Sequence, residues 1–378
     1  MERHYSLEKR KHFLSNKEHG VWNSSTHRQD ATGVDTSWPG ARRRGLLGGA
    51  LLATLIIALL SIGVGSIAIP PVTTLKILLA RLPLAITPDW PAAYESILID
   101  IRLPRVALVA LSGAALACSG AAYQGLFRNP LADPYLIGVA AGAGLGVVLV
   151  LPLRPFVPQL GTTLVPLGAF SGALTTVALV YMLGRSAGGS PVTSLVLAGV
   201  AVGSMAGAIM TFLLLRSGAQ SGRVLAFLLG GYGGAGWDAV LVTAPLVLLG
   251  SLALYAFARP LNVLLLDEEQ ARQIGVNAPR VRRMVIIAAT LTTAAAVAFS
   301  GLIGFVGLIV PHVARLIGGA DHRRLIPLAT VGGAGFLMLA DLIARTAITP
   351  QELPLGVVTA LAGAPYFLYL LRRASNQS

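Results

Sequence analysis

Long apolar segments alternate with short polar ones along most of this chain. Apolar windows stand at residues 45–69, 106–126, 135–151, 164–183, 192–215, 239–258, 284–318, 325–344 and 355–371. Most of these windows match the roughly 17–25 residues that a helix needs to cross a bilayer. The pattern therefore predicts an all-α, polytopic membrane protein.

One apolar window, residues 284–318, is too long for a single crossing. As one helix it would extend about 50 Å, whereas the hydrocarbon core of a bilayer is about 30 Å thick. Gly301 and Gly304 provide a place to break it. Arginine-rich loops precede and follow this window, and basic loops are retained in the cytoplasm. Two crossings must lie between them, so we predict ten transmembrane helices with both termini cytoplasmic.

The windows define one membrane domain, residues 45–373. Residues 1–44 are polar and mixed in charge, and we predict that they form a disordered cytoplasmic extension. Residues 374–378 form a short C-terminal tail.

Two segments inside the membrane domain differ from the spanning windows. Residues 223–236 are too short to span and end in glycines, which favours a half-helix on the outer side. Residues 261–283 are amphipathic and rich in arginine, which predicts a cytoplasmic segment. Gly275 is expected to end the first helix of that segment, and Pro279 to begin the next one.

Composition agrees with a membrane protein and narrows its function. Of 378 residues, 54% are hydrophobic and 12% are charged, against about 25% charged in a typical soluble domain. The net charge of +13 indicates basic cytoplasmic loops rather than nucleic-acid binding. The chain contains no GxxxxGK[ST] phosphate loop, no HExxH motif and no Cys/His cluster. We therefore expect no enzyme activity, no metal site and no cofactor, and any ATP hydrolysis belongs to another subunit.

Three arginines, Arg102, Arg105 and Arg345, are predicted at outward-facing helix ends. They are either interfacial arginines that reach toward the headgroups or a docking site for an acidic partner, because a guanidinium group binds a carboxylate with two parallel hydrogen bonds. Asp341 lies inside an apolar window and precedes Arg345 by one helical turn. It is either a functional intramembrane acid or the local ion-pair partner of Arg345.

The segment Asn129–Pro134 predicts a fixed corner between two helices. Asn129 is expected to leave the helical region because Pro130 follows it. Asp133 is suited to cap the next helix, with Pro134 in its first position. The corner is either a plain structural turn or a rigid constriction at the cytoplasmic mouth of a transport path.

Several sequence motifs together resemble one protein family. They are RLPR, GAALACSG, Gln124-Gly125, RNPLADP, GFVGLIVPHVARLIGGADHRRLIP, ADLIAR and ELPLGVVTALAGAPYFLYLLRR, spread from about residue 45 to residue 373. They resemble the FecCD-type permease subunits of bacterial ABC importers for iron–siderophores, haem and vitamin B12. The resemblance implies a fold like that of the vitamin B12 importer permease, in the bacterial inner membrane. It also implies two cytoplasmic ATP-binding subunits, a second permease that is identical or paralogous, and an extracytoplasmic substrate-binding protein.

The resemblance also assigns roles to residues of this chain. Acidic residues of the binding protein would dock on Arg102, Arg105 and Arg345. Coupling to the ATP-binding subunits would involve Asp267, Glu268, Ala271, Arg272 and Gly275. The cytoplasmic gate would include Asn129, Leu131, Val192 and Thr193. An iron–siderophore is the expected cargo, with cobalamin and haem as alternatives.

Two other functions remain open at the level of the sequence. A secondary transporter driven by an ion gradient would need ionisable groups inside the membrane. Asp341 is the one good candidate, and Arg345 would neutralise it. A non-transporting assembly protein is the second alternative, and it would purify without an ATPase partner.

Overall fold

The computed structural model describes residues 40–65, 67–81, 87–186, 191–216, 221–266, 268–348 and 350–375. The helices in these ranges are α1 (Gly40–Gly63), α2 (Pro71–Leu79), α3 (Ala92–Ser96), α4 (Leu103–Leu126), α5 (Val139–Val150), α6 (Leu164–Ser186), α7 (Pro191–Arg216), α8 (Ser221–Leu229), α9 (Trp237–Ala256), α10 (Ala258–Leu264), α11 (Glu268–Gln273), α12 (Ala278–Ser300), α13 (Val306–Gly318), α14 (His322–Thr346) and α15 (Leu355–Ser375). A π-helical segment, Ile97–Arg102, joins α3 to α4, and a 3-10 turn, Pro134–Ile137, precedes α5.

The predicted all-α, polytopic membrane architecture is confirmed. Seven helices in the described ranges are long and apolar enough to span: Gly45–Gly63, Ala92–Leu126, Leu164–Ser186, Val192–Arg216, Trp237–Ala256, Ala278–Ser300 and His322–Thr346. Three shorter apolar helices accompany them: Val139–Leu153, Val306–Gly318 and Leu355–Leu370. A helix of 13 residues such as α13 extends only about 20 Å. The count of ten spans therefore stays a prediction.

The long window at residues 284–318 is broken where its glycines predicted. Helix α12 ends at Ser300 and α13 begins at Val306. Between them Gly301 and Phe305 have φ angles of +66° and +69°. Non-helical backbone at membrane depth is tolerated where protein buries it. Ile303, in the middle of this break, is 1% exposed.

The half-helix expected within residues 223–236 is present as α8, which ends before Gly230. Helix α1 begins at Gly40, and the predicted boundary of the membrane domain at residue 45 stays a prediction. The rest of the predicted extension, residues 1–39, and the last three residues of the tail, 376–378, lie outside the described residues.

Helices α4 and α14 form an antiparallel pair at the centre of the described chain. Their backbones approach so closely that a Cβ atom on Gly113 would lie 2.2 Å from the carbonyl oxygen of Gly333. Small residues permit such contact between helices in lipid, where no hydrophobic force drives them together. The pair has two ends, which we name the Arg105 end (start of α4, end of α14) and the Asn262 end (end of α4, start of α14, with α10). Each end carries a polar cluster.

Candidate functional site

The polar cluster at the Arg105 end centres on one buried carboxylate. Arg105 donates from Nε and Nη2 to Oδ1 of Asp341, at 3.2 and 2.9 Å. Arg345 donates from Nε to Oδ2 of the same residue at 2.9 Å. The side chain of Asp341 is 2% exposed. The local ion pair between Asp341 and Arg345 is thus confirmed, and a second arginine shares the carboxylate.

A further carboxylate binds Arg105 from the solvent side. Glu352, on the connection between α14 and α15, accepts from Nη1 and Nη2 of Arg105 at 3.0 and 2.9 Å. The side chain of Glu352 is 43% exposed and that of Arg105 is 16% exposed. Such two-pronged pairing is the strongest geometry that a guanidinium group offers a carboxylate.

Arg345 also binds the end of a neighbouring helix. Its Nη2 and Nη1 atoms donate to the carbonyl oxygens of Ser61, at 3.0 Å, and Val64, at 3.1 Å. The last carbonyls of a helix have no partner within the helix, and a cation there is favoured by the helix dipole. Arg345 therefore fixes the end of α1 against α14.

Arg102 performs the same task from the π-helical segment. It donates from Nη1 to the carbonyl oxygens of Ile62, at 3.1 Å, and Gly63, at 2.9 Å. Arg102 and Arg345 are each only 6% exposed. Of the three arginines predicted to dock a partner, Arg105 alone is more than a tenth exposed. The docking role of all three stays a prediction, and the helix-capping role of two of them is a finding that the sequence did not indicate.

A cavity of about 390 Å³ opens beside this cluster, and Arg105, Asp341 and Glu352 line part of it. Three helix interruptions form its wall and are joined through their backbones. The hydrogen bonds run from Gly231 N to Ser300 O (2.8 Å), from Leu302 N to Phe227 O (3.1 Å) and from Leu355 N to Gly230 O (3.1 Å).

The cluster at the Asn262 end is built differently. The Nδ2 atom of Asn262 donates to Oδ1 of Asp321 at 2.6 Å. Its Oδ1 atom accepts from the backbone N–H of His322 at 2.9 Å and lies 2.7 Å from Nδ1 of the same imidazole. Since an amide oxygen only accepts, the proton of this imidazole resides on Nδ1. Helix α10 is thereby bound to the first turn of α14.

Asp321 caps α14 through a hydrogen bond from Arg323 N to its Oδ1 atom, at 2.9 Å. Burial acts to raise the pKa of Asp321, but hydrogen bonds from the N–H of Arg323 and from Asn262 outweigh it and hold the pKa below its usual value. The carboxylate therefore stays ionised where it caps the helix.

The Gln124-Gly125 motif is the point at which α4 joins this end. Gln124 donates from Nε2 to the carbonyl oxygen of Leu308 at 3.2 Å and accepts from Nη2 of Arg315 at 3.0 Å. A Cβ atom on Gly125 would lie 2.2 Å from Nε2 of His322. Only glycine leaves room here for the imidazole that Asn262 holds.

Arg128 connects the predicted corner to the segment expected to couple with a partner. It donates from Nε to the carbonyl oxygen of Leu264 at 2.7 Å and from Nη2 to that of Leu266. These carbonyls close α10, where a cation is favoured. Arg128 has a φ angle of +50°, which is uncommon for a residue with a side chain.

The corner itself has the predicted geometry. Asp133 accepts a hydrogen bond from Tyr135 N at 2.8 Å, with Pro134 in the first helical position. Asn129 accepts from Leu131 N at 2.9 Å.

The corner meets α7 where Gly199 lies against Leu136: a Cβ on Gly199 would be 2.4 Å from the Leu136 carbonyl oxygen. This contact is about two turns beyond Val192 and Thr193. The grouping of those two residues with Asn129 and Leu131 in a gate stays a prediction.

Of the predicted coupling residues, Asp267 and the side chain of Glu268 lie outside the described residues. Ala271 is fully buried, whereas Arg272 is exposed. Gly275 ends α11 with a φ angle of +85°, as predicted. Ile274 is 63% exposed beside Arg272. Single exposed apolar residues are common on protein surfaces, so nothing in the sequence distinguishes Ile274 as a functional residue.

The fold is that of a polytopic helical membrane protein with an amphipathic segment at one end of the bundle. The model of the FecCD transport family matches residues 52–373, and the chain belongs to this family. The resemblance stated from the motifs is thereby confirmed.

Relatives and a solved structure agree with this assignment. The chain is 46% identical to the cobalamin import system permease protein BtuC of Halobacterium salinarum, over 75% of each chain. It is 42% identical to the hemin transport system permease protein HmuU of Yersinia pestis, over 74% of this chain and 84% of that protein. A metal-chelate type ABC transporter solved in an inward-facing conformation matches with a TM-score of 0.76 and 30% identity, over 87% of this chain and 99% of that one.

Proposed function

We propose that this chain is the transmembrane permease subunit of an ATP-driven importer, and that it passes an iron–siderophore into the cytoplasm. The observation that carries the proposal is the family match over residues 52–373. The relatives are named for cobalamin, hemin and iron dicitrate, which are all metal chelates. Cobalamin and haem remain the alternative cargoes.

In this proposal the ATPase activity belongs to two separate ATP-binding subunits. A second permease, identical or paralogous, completes the path, and an external binding protein delivers the chelate. The Asn262 end faces the cytoplasm with both termini, and the Arg105 end faces outward. The basic segment that follows α10 supports this orientation, because Arg272, Arg280 and Arg283 are all exposed there.

Coupling follows from the contacts at the Asn262 end. Arg272, in α11, and Ile274, directly after it, face the ATP-binding subunits in this proposal. Helix α10, just before it, is bound to α14 through Asn262 and to the corner after α4 through Arg128. Because α10 directly precedes α11, a displacement of α11 would move α14 and α4. Alternating access requires such a rearrangement of the central helices.

The ion-gradient alternative loses support from the same structure. It needs an intramembrane carboxylate that is free to bind an ion or proton. Asp341 accepts hydrogen bonds from Arg105 and Arg345 together. Both oxygens of this carboxylate are thus engaged by guanidinium groups, so it is not free to bind a transported ion.

The test is uptake in proteoliposomes that hold the full chain with its co-purified ATP-binding subunits and external binding protein. Ferric hydroxamate, cobalamin and haemin are offered in parallel. We expect ATP-dependent uptake of the ferric chelate that a protonophore does not abolish. Uptake that follows a proton gradient without ATP would overturn the proposal, and uptake of cobalamin or haemin alone would replace the cargo.

A further inference from the structure

We propose that Glu352 is a built-in competitor at the docking surface, which holds the guanidinium group of Arg105 until a carboxylate of the external binding protein displaces it. The inference rests on the proposed function, since it concerns the surface that receives the binding protein. It assigns to Glu352 a role that neither the motifs nor the family match provides.

The two carboxylates on Arg105 differ in their access to solvent. The side chain of Asp341 is 2% exposed and is shared with Arg345, whereas that of Glu352 is 43% exposed. Water solvates a carboxylate that leaves its partner at an exposed position, whereas a buried carboxylate that loses its partner stays without solvation. Of the two carboxylates, Glu352 is therefore the one that leaves Arg105 at the lower cost.

The position that Glu352 would vacate suits another carboxylate. Glu352 binds the Nη1 and Nη2 edge of Arg105 with both oxygens. The other polar edge of the guanidinium, through Nε and Nη2, stays on Asp341. An incoming Asp or Glu side chain would thus meet a guanidinium that is already oriented, which lowers the entropic cost of binding.

The net charge of the cluster favours replacement of Glu352 by the incoming carboxylate over binding of that carboxylate beside Glu352. With Glu352 in place, Arg102, Arg105, Arg345, Asp341 and Glu352 carry a net charge of +1; without it the other four carry +2. A carboxylate that replaces Glu352 restores the original balance. One that arrived while Glu352 stayed would place two acids on the same edge of Arg105, and like charges repel.

The backbone around Glu352 is fixed, so the exchange is a rotation of its side chain. Leu353 N donates to the carbonyl oxygen of Ala344 at 2.9 Å, and Leu355 N to that of Gly230 at 3.1 Å. The cavity of about 390 Å³ next to Arg105 provides space for the arriving side chain.

The test measures the affinity of the full permease complex in nanodiscs for its binding protein. We expect Glu352→Gln to lower the dissociation constant about two- to fivefold, the range that exposed ion pairs span, and Glu352→Ala to act in the same direction. Glu95→Gln is the matched control, because Glu95 pairs with Arg81 and is likewise partly exposed, at 36%. It should leave the affinity unchanged.

Arg105→Gln separates this inference from the proposed function. It should weaken docking, and adding Glu352→Gln to it should bring no gain. If Arg105→Gln weakens docking while Glu352→Gln leaves it unchanged or weaker, the competitor role is overturned and the docking surface survives. If the binding protein binds all variants equally, both the competitor role and the docking role of Arg105 are overturned.

Discussion

The two ends of the α4–α14 pair hold helices together by different chemistry. The Arg105 end relies on full charges, with a partly exposed carboxylate on its outermost arginine. At the Asn262 end an amide and an imidazole join the helices, together with the ionised carboxylate of Asp321, which caps α14. A pair of charged side chains accepts a replacement partner of the same charge, whereas hydrogen bonds to amides and backbone groups depend on direction and fix one arrangement. One end is thus suited to exchange with a partner and the other to transmitting motion.

The largest expected loss of stability follows from removing the buried carboxylate of Asp341 at the Arg105 end. Asp341→Asn removes the shared anion and leaves Arg105 and Arg345 partly unpaired, which costs about 3–5 kcal/mol. Thermal unfolding is measured by labelling Cys118, whose thiol is buried in the folded chain.

The control for that variant is Asp89→Asn, because Asp89 forms an exposed pair with Lys76. It should leave the unfolding temperature unchanged. Equal shifts in the two variants would mean that the Arg105 end owes its stability to something other than its ion pairs.

The second largest expected loss of stability comes from the close packing at the Asn262 end. Gly125→Ala places a Cβ atom 2.2 Å from the imidazole that Asn262 holds, and such overpacking costs about 1–3 kcal/mol. Gly207→Ala is the control, since nothing lies within 4 Å of its added Cβ atom. A helix-interior alanine there should be neutral or stabilising by up to about 1 kcal/mol. Similar unfolding temperatures for both variants would contradict close packing at Gly125.

Loss of the contact between the corner at Asn129–Pro134 and residues 261–283 should reduce transport more than it reduces the stability of the fold. Arg128→Ala removes hydrogen bonds from a charged donor, worth about 1.5–3 kcal/mol, so we expect chelate uptake per ATP hydrolysed to fall roughly tenfold or more. Arg185→Ala, an exposed arginine at the end of α6, is the control and should retain wild-type coupling. An unchanged ratio in Arg128→Ala would remove Arg128 from the coupling route.

The smallest effect is expected at Ile274, which directly follows α11. Ile274→Ser removes apolar surface that is 63% exposed in the lone chain, so the fold should be unaffected. Affinity for the ATP-binding subunits should fall about tenfold, as expected for an apolar side chain buried on binding. Gln273→Ser alters a neighbouring exposed polar residue and serves as the comparison. Equal affinities for the two variants would place the contact elsewhere.

Local rules predicted several features of both ends. The cap by Asp133, the stop at Gly275 and the break after Ser300 each follow from residues within a few positions of one another. The capping roles of Arg102 and Arg345 did not follow, because their acceptors are backbone carbonyls far along the chain, which carry no mark in the sequence. The pairing of Arg105 with Glu352 spans 247 positions, and the sequence did not indicate it because the packing of the helices decides which distant carboxylate Arg105 reaches.

The polar cluster at the Asn262 end could have been suspected from the sequence. Gln124 and Asn262 are isolated amides next to apolar runs, and a polar side chain in such a setting requires a partner. Which partner each amide finds depends on how α4, α10 and α14 pack, and the pattern of a single chain does not contain that information.

Main-chain hydrogen bonds from Gly231, Leu302 and Leu355 join the three segments of the cavity wall beside Arg105. A framework of this kind makes almost no demand on the identity of the surrounding side chains, provided that its glycines are kept. Residues bordering the opening are then free to diverge while the scaffold retains its shape, so the lining of this cavity can change without redesign of the bundle.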